Sequence, residues 1–311
     1  MMTPIGNDYP RTSILHSIWK HRNFYIMLIP GIIIILLFQY VPMAGLMISF
    51  KDFKIFSGFN ASPWVGLDNF KQLFTTPKFF EIMGNTIIIS IYKIIFGFPI
   101  PILAAVMINE VRTKWFARSV QTIIYLPHFF SWVVVYGLTA LLCSPNDGMI
   151  NIAIQQLGGE PIFFLGDTKW FRFTLVVTEI WKETGWNAIV YIAALASVPP
   201  ELHEAAQIDG ANRLQKVFRI SLPYILPTIS IMFLLRLGNI LNVGFEQIYN
   251  MLNSAVYSVG DILDTYIYRV GIIQTEYGYT TAVGLFKSVL SFIFVLFANW
   301  GARKAGQESI I

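Results

Sequence analysis

Six separate apolar runs, each long enough to cross a bilayer, leave this chain very few folds. They fall at about 24–48, 85–109, 120–142, 171–196, 226–248 and 280–300. A helix rises ~1.5 Å per residue through a hydrocarbon core ~30 Å thick, so a crossing needs ~20 apolar residues. Inside that core no water satisfies backbone N–H and C=O groups, which restricts spanning structure to helices or closed barrels. The runs are continuous rather than short and alternating, which favours helices over a barrel. The predicted class is therefore an all-α integral membrane protein of about six transmembrane helices. Only 13% of the 311 residues are charged, against ~25% in soluble domains, and 55% are hydrophobic.

Lys20 and Arg22 precede the first run, as in a signal peptide. That run far exceeds the ~7–15 residues of a signal core, and no small-x-small cleavage site follows, so it reads as an uncleaved span. Cys143 is the only cysteine, which excludes an internal disulfide and makes it a packing residue near a span end. Basic residues cluster before the first run (Arg11, Lys20, Arg22) and between the second and third (Arg112, Lys114, Arg118). They recur between the fourth and fifth (Arg213, Lys216, Arg219) and after the sixth (Arg303, Lys304). With six crossings these stretches share one side, and the positive-inside rule makes that side the cytoplasm. On the other side Lys51, Lys54, Lys71 and Lys78 are offset by Asp52, Asp68 and Glu81. Both termini are expected inside, with a tail at 1–20, a membrane domain at 21–305 and a tail at 306–311.

Among the outer loops, 51–84 contains WVGLDNFKQLF, where Gly66 marks a turn and Asp68 can cap a short helix. Its apolar side, Phe70, Leu73 and Phe74, is expected to pack on the bundle. The loop 144–169 opens on SPNDG and is expected to hold an extended piece around 162–165. The loop 249–279 carries Asp261, Asp264, Arg269 and Glu276. No phosphate-binding G-x-x-x-x-G-K-[ST], no H-E-x-x-H and no G-x-S-x-G occurs, so neither ATP binding by a P-loop nor hydrolytic chemistry is expected of this chain.

The stretch Pro199–Pro227 is more organised than a linker between spans requires. Pro199 and Pro200 end the fourth run and suit a helix start, where a missing N–H costs nothing. Glu201 and Glu204 complement the helix dipole, and Leu202, Ala205, Ala206 and Asp209 share a face. Gly210 permits a left-handed turn, and Asn212 with Gln215 can cap a second helix ending at Pro223. Two readings fit: an amphipathic helix on lipid headgroups, or a docking element for something outside the membrane.

Glu204-Ala205-Ala206, Gly210 and Ile220-x-Leu222-Pro223 have the spacing of the EAA loop, EAA-x3-G-x9-I-x-L-P. On these residues the chain resembles ATP-binding-cassette (ABC) importer permeases, and EAAQIDGAN looks like their carbohydrate branch. WVGLDNF, IIYLPHFFSWVVV, IWKETGW, LRLGNIL, FEQIY and DTYIYR are similar to permeases for complex oligosaccharides, of the lipo-oligosaccharide and alginate importer types. The resemblance covers about residues 20–305 and implies the type I, MetI-like architecture in a bacterial cytoplasmic membrane. It also implies that Glu204, Ala205, Ala206, Gly210, Ile220, Leu222 and Pro223 couple the permease to a separate ATPase. The implied partners are a second, homologous permease, two ATP-binding subunits that hold the ATP and Mg, and an extracytoplasmic sugar-binding protein. No cofactor is implied in this chain.

A sugar offers hydroxyls to polar side chains and C–H faces to aromatic rings, so its path should carry both at membrane depth. The fourth run supplies Trp181, Glu183, Trp186, Asn187 and Tyr191; the fifth supplies Arg236, Asn239, Asn242, Glu246 and Tyr249. Asn239, Asn242, Glu246 and Tyr249 are expected near one helical face, with Arg236 joining it and pairing with a fourth-run glutamate or a neighbour of Glu246. Lys93 and Lys287 read as salt-bridged or snorkelling. Polar residues can equally hold helices together, and Trp can anchor at the interface. An ATP-independent secondary transporter and an importer for a non-sugar solute are the alternatives at this stage.

Overall fold

The computed structural model describes residues 19–304, so most of the tail at 1–20, all of that at 306–311 and Arg11 lie outside the described residues. The first span, α1, is Arg22–Phe50. Its last turns, at 44–50, pack on the final helix and on the short helix at 68–75. Upstream, its side chains point outward, as a helix solvated by lipid requires.

Helix α2, Asp68–Thr75, lies across the end of α1. The Asn69 amide donates to the Ser49 carbonyl at 2.9 Å and the Lys51 carbonyl at 3.1 Å. Leu73 is fully buried against Phe79, Leu263 and Val283. The helix expected from WVGLDNFKQLF thus packs on its own bundle, with Asp68 inside its first turn and Gly66 at φ +60° before it.

Span α3 is Pro77–Asn109, which begins eight residues before the second apolar run. The third run divides into α4, Lys114–Phe129, and α5, Trp132–Leu142, bent by 102° where Pro127 and Ser131 interrupt it. It is a broken element rather than the single straight span expected. Helix α6, Met149–Gln156, follows, and Asn151 bonds both the N–H and C=O of Ile162. The segment expected to be extended at 162–165 instead turns, with the N–H groups of Gly166 and Asp167 donating to the Phe163 carbonyl.

Helix α7, Phe171–Ala196, is the central strut and packs along α3, α4 and the next span. It is long enough to cross a bilayer despite Arg172, Glu179, Lys182 and Glu183 within it. Helix α8, Pro200–Ile208, leaves it at Pro199. Span α9, Arg213–Gly238, is followed by α10, Phe245–Met251, then α11, Leu263–Ile267, and the final span α12, Tyr277–Lys304.

Two expectations for the fifth run are corrected. The second helix of the 199–227 loop does not end at Pro223 but continues as α9. The span does not reach 248: α9 stops at Gly238, and Gly244 at φ +96° starts α10. The proline result has a physical cause. Wide π-turns occupy Leu36–Tyr40, Lys93–Gly97 and Val217–Ser221, each ending two residues before Pro42, Pro99 or Pro223. Proline lacks an N–H and its ring crowds the carbonyl four residues back; one extra residue in the turn relieves that clash without ending the helix.

Candidate functional site

Glutamates 179 and 183 sit one turn apart on α7 and organise a charged network across four helices. Glu179 accepts from Arg236 of α9 at 2.7 Å and is ion-paired with Lys93 at the π-turn of α3. Lys93 is nearly fully buried and also donates to the Val243 carbonyl at 2.7 Å and to the Gln247 side chain. Gln247 in turn donates to the Leu175 carbonyl at 2.7 Å and the Thr178 hydroxyl at 2.9 Å. Ser90 donates to the Ile240 carbonyl. Carbonyls freed where α9 breaks are therefore satisfied by α3, the condition for tolerating irregular backbone at membrane depth.

A second lysine does the same at the other break. Lys182, also buried, donates to the His128 carbonyl at 2.7 Å, where α4 ends, and lies 3.1 Å from Glu183. His128 places Nδ1 2.9 Å from Glu183, and because a carboxylate only accepts, the proton lies on Nδ1. The imidazole stacks on Trp186 at 4.4 Å with the rings 3° from parallel. Each buried lysine thus donates to a carbonyl at a helix break and is neutralised by a glutamate of α7.

Four of the residues expected along a path, Glu183, Asn187, Tyr191 and Arg236, line one cavity of about 90 Å³ with Lys93 and Glu179. Arg236 takes the fourth-run glutamate of its two expected partners. Trp186 does not line this cavity and stacks on His128, whereas Trp181 faces Phe130 and lines a separate apolar cavity with Val135 and Phe173. Asn239, Asn242, Glu246 and Tyr249 are exposed but do not form one helical face, because the chain between α9 and α10 is not helical. Asn242 bonds Asn239 at 3.2 Å and accepts from Lys287 at 2.8 Å, while Tyr249 stacks on Phe245 beside Tyr268. Lys287 also pairs with Asp264 at 2.5 Å, so both intramembrane lysines are salt-bridged. His128 joins the site although it was not expected along the path. A polar residue inside an apolar run, as in YLPHFF, is the signal that could have found His128.

At the end of α7 the chain presents α8 almost bare. Glu204 and Ala205 are exposed, Ala206 is half-buried, and Ile208 is 87% exposed. Gly210 adopts φ +78° and Asn212 forms the reciprocal capping box with Gln215. Leu222 packs on the cluster of Ala105, Ala188, Tyr191 and Ile225, so the Ile220–Pro223 part of the motif anchors the loop in α9.

The model of the binding-protein-dependent transport system inner membrane component matches residues 97–307. The chain belongs to this family. Among relatives of this permease, Protein LplB of Bacillus subtilis (strain 168) is 47% identical over 298 residues, 96% of this chain and 94% of its own. The polygalacturonan/rhamnogalacturonan transport system permease protein YteP of the same organism is 43% identical over 300 residues, again 96% and 94%. A crystal structure of a bacterial ABC transporter involved in import of the acidic polysaccharide alginate superposes with TM-score 0.87 at 43% identity, over 94% of this chain and 98% of that one. The alginate transporter in complex with its alginate pentasaccharide-bound periplasmic protein gives 0.88 at 41%, over 96% and 99%. The chain is accordingly a multi-pass membrane permease of an ABC importer, a transport component and not an enzyme, with the MetI-like helical fold.

Proposed function

We propose that this permease forms half of the translocation path for an oligosaccharide handed over by an extracytoplasmic sugar-binding protein. A second, homologous permease supplies the other half. Two ATPase subunits, which hold the ATP and Mg, drive both through α8, with the termini of this chain in the cytoplasm. The observation that carries the coupling is α8 itself: a short helix with no buried residue, following α7 after Pro199 and closed by a left-handed glycine. A helix that contributes so little to its own core is suited to a groove on another subunit. The cavity supports the half-path, since about 90 Å³ is well below the ~300–1,000 Å³ of a complete small-molecule site. The cargo class rests on the relatives, one named for polygalacturonan/rhamnogalacturonan transport and one involved in the import of alginate.

The deciding experiment is ATP hydrolysis by the assembled complex in nanodiscs with its binding protein, screened over oligosaccharides, peptides, phosphate and metal ions. Stimulation by an oligosaccharide, abolished by Glu204→Ala or Gly210→Ala, is the expected result. Stimulation only by a non-sugar solute refutes the cargo. Uptake by the chain without an ATPase refutes the drive.

A further inference from the structure

Three cations, Lys93, Lys182 and Arg236, meet the two carboxylates of α7, Glu179 and Glu183. Ionisable groups at membrane depth are expensive and mark a functional site. The three cations differ in how their donors are used. Lys93 donates to Gln247 and the Val243 carbonyl and is ion-paired with Glu179. Lys182 is buried on the His128 carbonyl and Glu183, with its ammonium 5.4 Å from the centre of the Trp132 ring. Arg236 differs: its side chain is 40% exposed, and Glu179 holds it through Nη2. A guanidinium has five N–H donors in a rigid fork suited to a carboxylate, and the ion pair with Glu179 fixes that fork at the cavity wall. Beside it, the Thr184 hydroxyl is buried without a partner, and Asn187 lines the same wall. The lining therefore combines one anchored cation that has spare donors with neutral groups able to bond sugar hydroxyls.

We propose that this cavity reads the carboxylate of an acidic sugar unit, with Arg236 as its donor and Glu179 as the residue that positions Arg236. The cargo would then be an oligouronide. This rests on the reading of the chain as an oligosaccharide permease. The cavity is too small for a whole saccharide but has room for a charged substituent while the ring lies in the path between the two permeases.

The test uses a short oligogalacturonide or oligomannuronide and the same oligosaccharide after reduction of its carboxyl groups to alcohols. Equilibrium binding to the nanodisc complex without binding protein compares the wild type with Arg236→Gln and Arg236→Lys. The expected result is an affinity about tenfold higher for the uronide in the wild type, lost in Arg236→Gln and partly kept in Arg236→Lys, the loss of one charge-assisted hydrogen bond. Binding of the reduced sugar should change less than about twofold in either variant on the same scale. Equal binding of the two sugars by the wild type, or no binding of either, overturns the proposal. So does an equal loss of both sugars in Arg236→Gln. If that loss comes with release of the second permease, Arg236 pairs with a carboxylate of the partner instead. Failure of every oligosaccharide to stimulate ATP hydrolysis in the presence of binding protein would instead refute the broader reading.

Discussion

Glu179 is the residue on which most of the charged network depends, because it forms ion pairs with both Lys93 and Arg236. Replacing it with Gln leaves Lys93 buried with no counter-charge, and breaking a buried pair this way costs about 3–5 kcal/mol. The loss should appear as a lower midpoint in thermal unfolding of the purified complex. Replacing Lys93 and Glu179 together with apolar residues should recover much of it, since an apolar pair carries no desolvation penalty. No recovery in the double variant would show that the carbonyl bonds of Lys93, not its charge, dominate. Gly185 sets a different kind of limit. A Cβ there would lie 2.0 Å from the Ile124 carbonyl oxygen, which belongs to backbone and cannot rotate away. Gly185→Ala should therefore push α4 from α7, lower the unfolding midpoint and reduce uptake. An unfolding midpoint equal to the wild type would refute that contact.

At the scale of elements, the joint after α8 separates strain from crowding. Nothing lies within 4 Å of a Cβ built on Gly210, so Gly210→Ala meets only the left-handed backbone penalty of about 1–2 kcal/mol. Loss of the Asn212 cap in Asn212→Ala should cost about 1 kcal/mol by removing the reciprocal bond with Gln215. Both should reduce stimulated ATP hydrolysis more than the unfolding midpoint, because in the proposed coupling the joint transmits movement and because it buries little. Equal effects on both measurements would make the joint merely structural. Both features were legible in the sequence, since a glycine turn and an Asn-x-x-Gln box are local. The fate of Pro223 was not. Sequence rules end a helix there, but the π-turn at Val217–Ser221 takes up the clash and α9 continues. The fifth span failed for the opposite reason. Residues 239–248 are apolar enough to read as helix, yet Ser90 and Lys93 donate hydrogen bonds to the Ile240 and Val243 carbonyls that a break leaves free.

At the scale of the whole molecule, the proposed function makes this chain one half of a path. Its cavity is small, about 90 Å³, and α8 leaves Ile208 exposed. Ile208→Glu should leave the unfolding midpoint of the permease within about 0.5 kcal/mol of the wild type, as exposed substitutions usually do. It should nevertheless release the ATPase subunits during affinity purification. Retention of the ATPase at wild-type stoichiometry would mean that the docking face lies elsewhere.

The sequence by itself determined the solvent, the helical class, the family and the EAA loop. Those depend on run length, spacing and local turn chemistry, which are one-dimensional properties. Only the tertiary structure decided which polar residues meet. Glu183, Asn187, Tyr191 and Arg236 gather around one cavity, while Trp181 faces away and Asn239, Asn242, Glu246 and Tyr249 leave the common face expected of them. The reason is physical. A helical face can be read from periodicity only while the helix continues, and whether it continues depends on hydrogen bonds supplied by residues such as Lys93, 150 positions away along the chain from the carbonyl it satisfies.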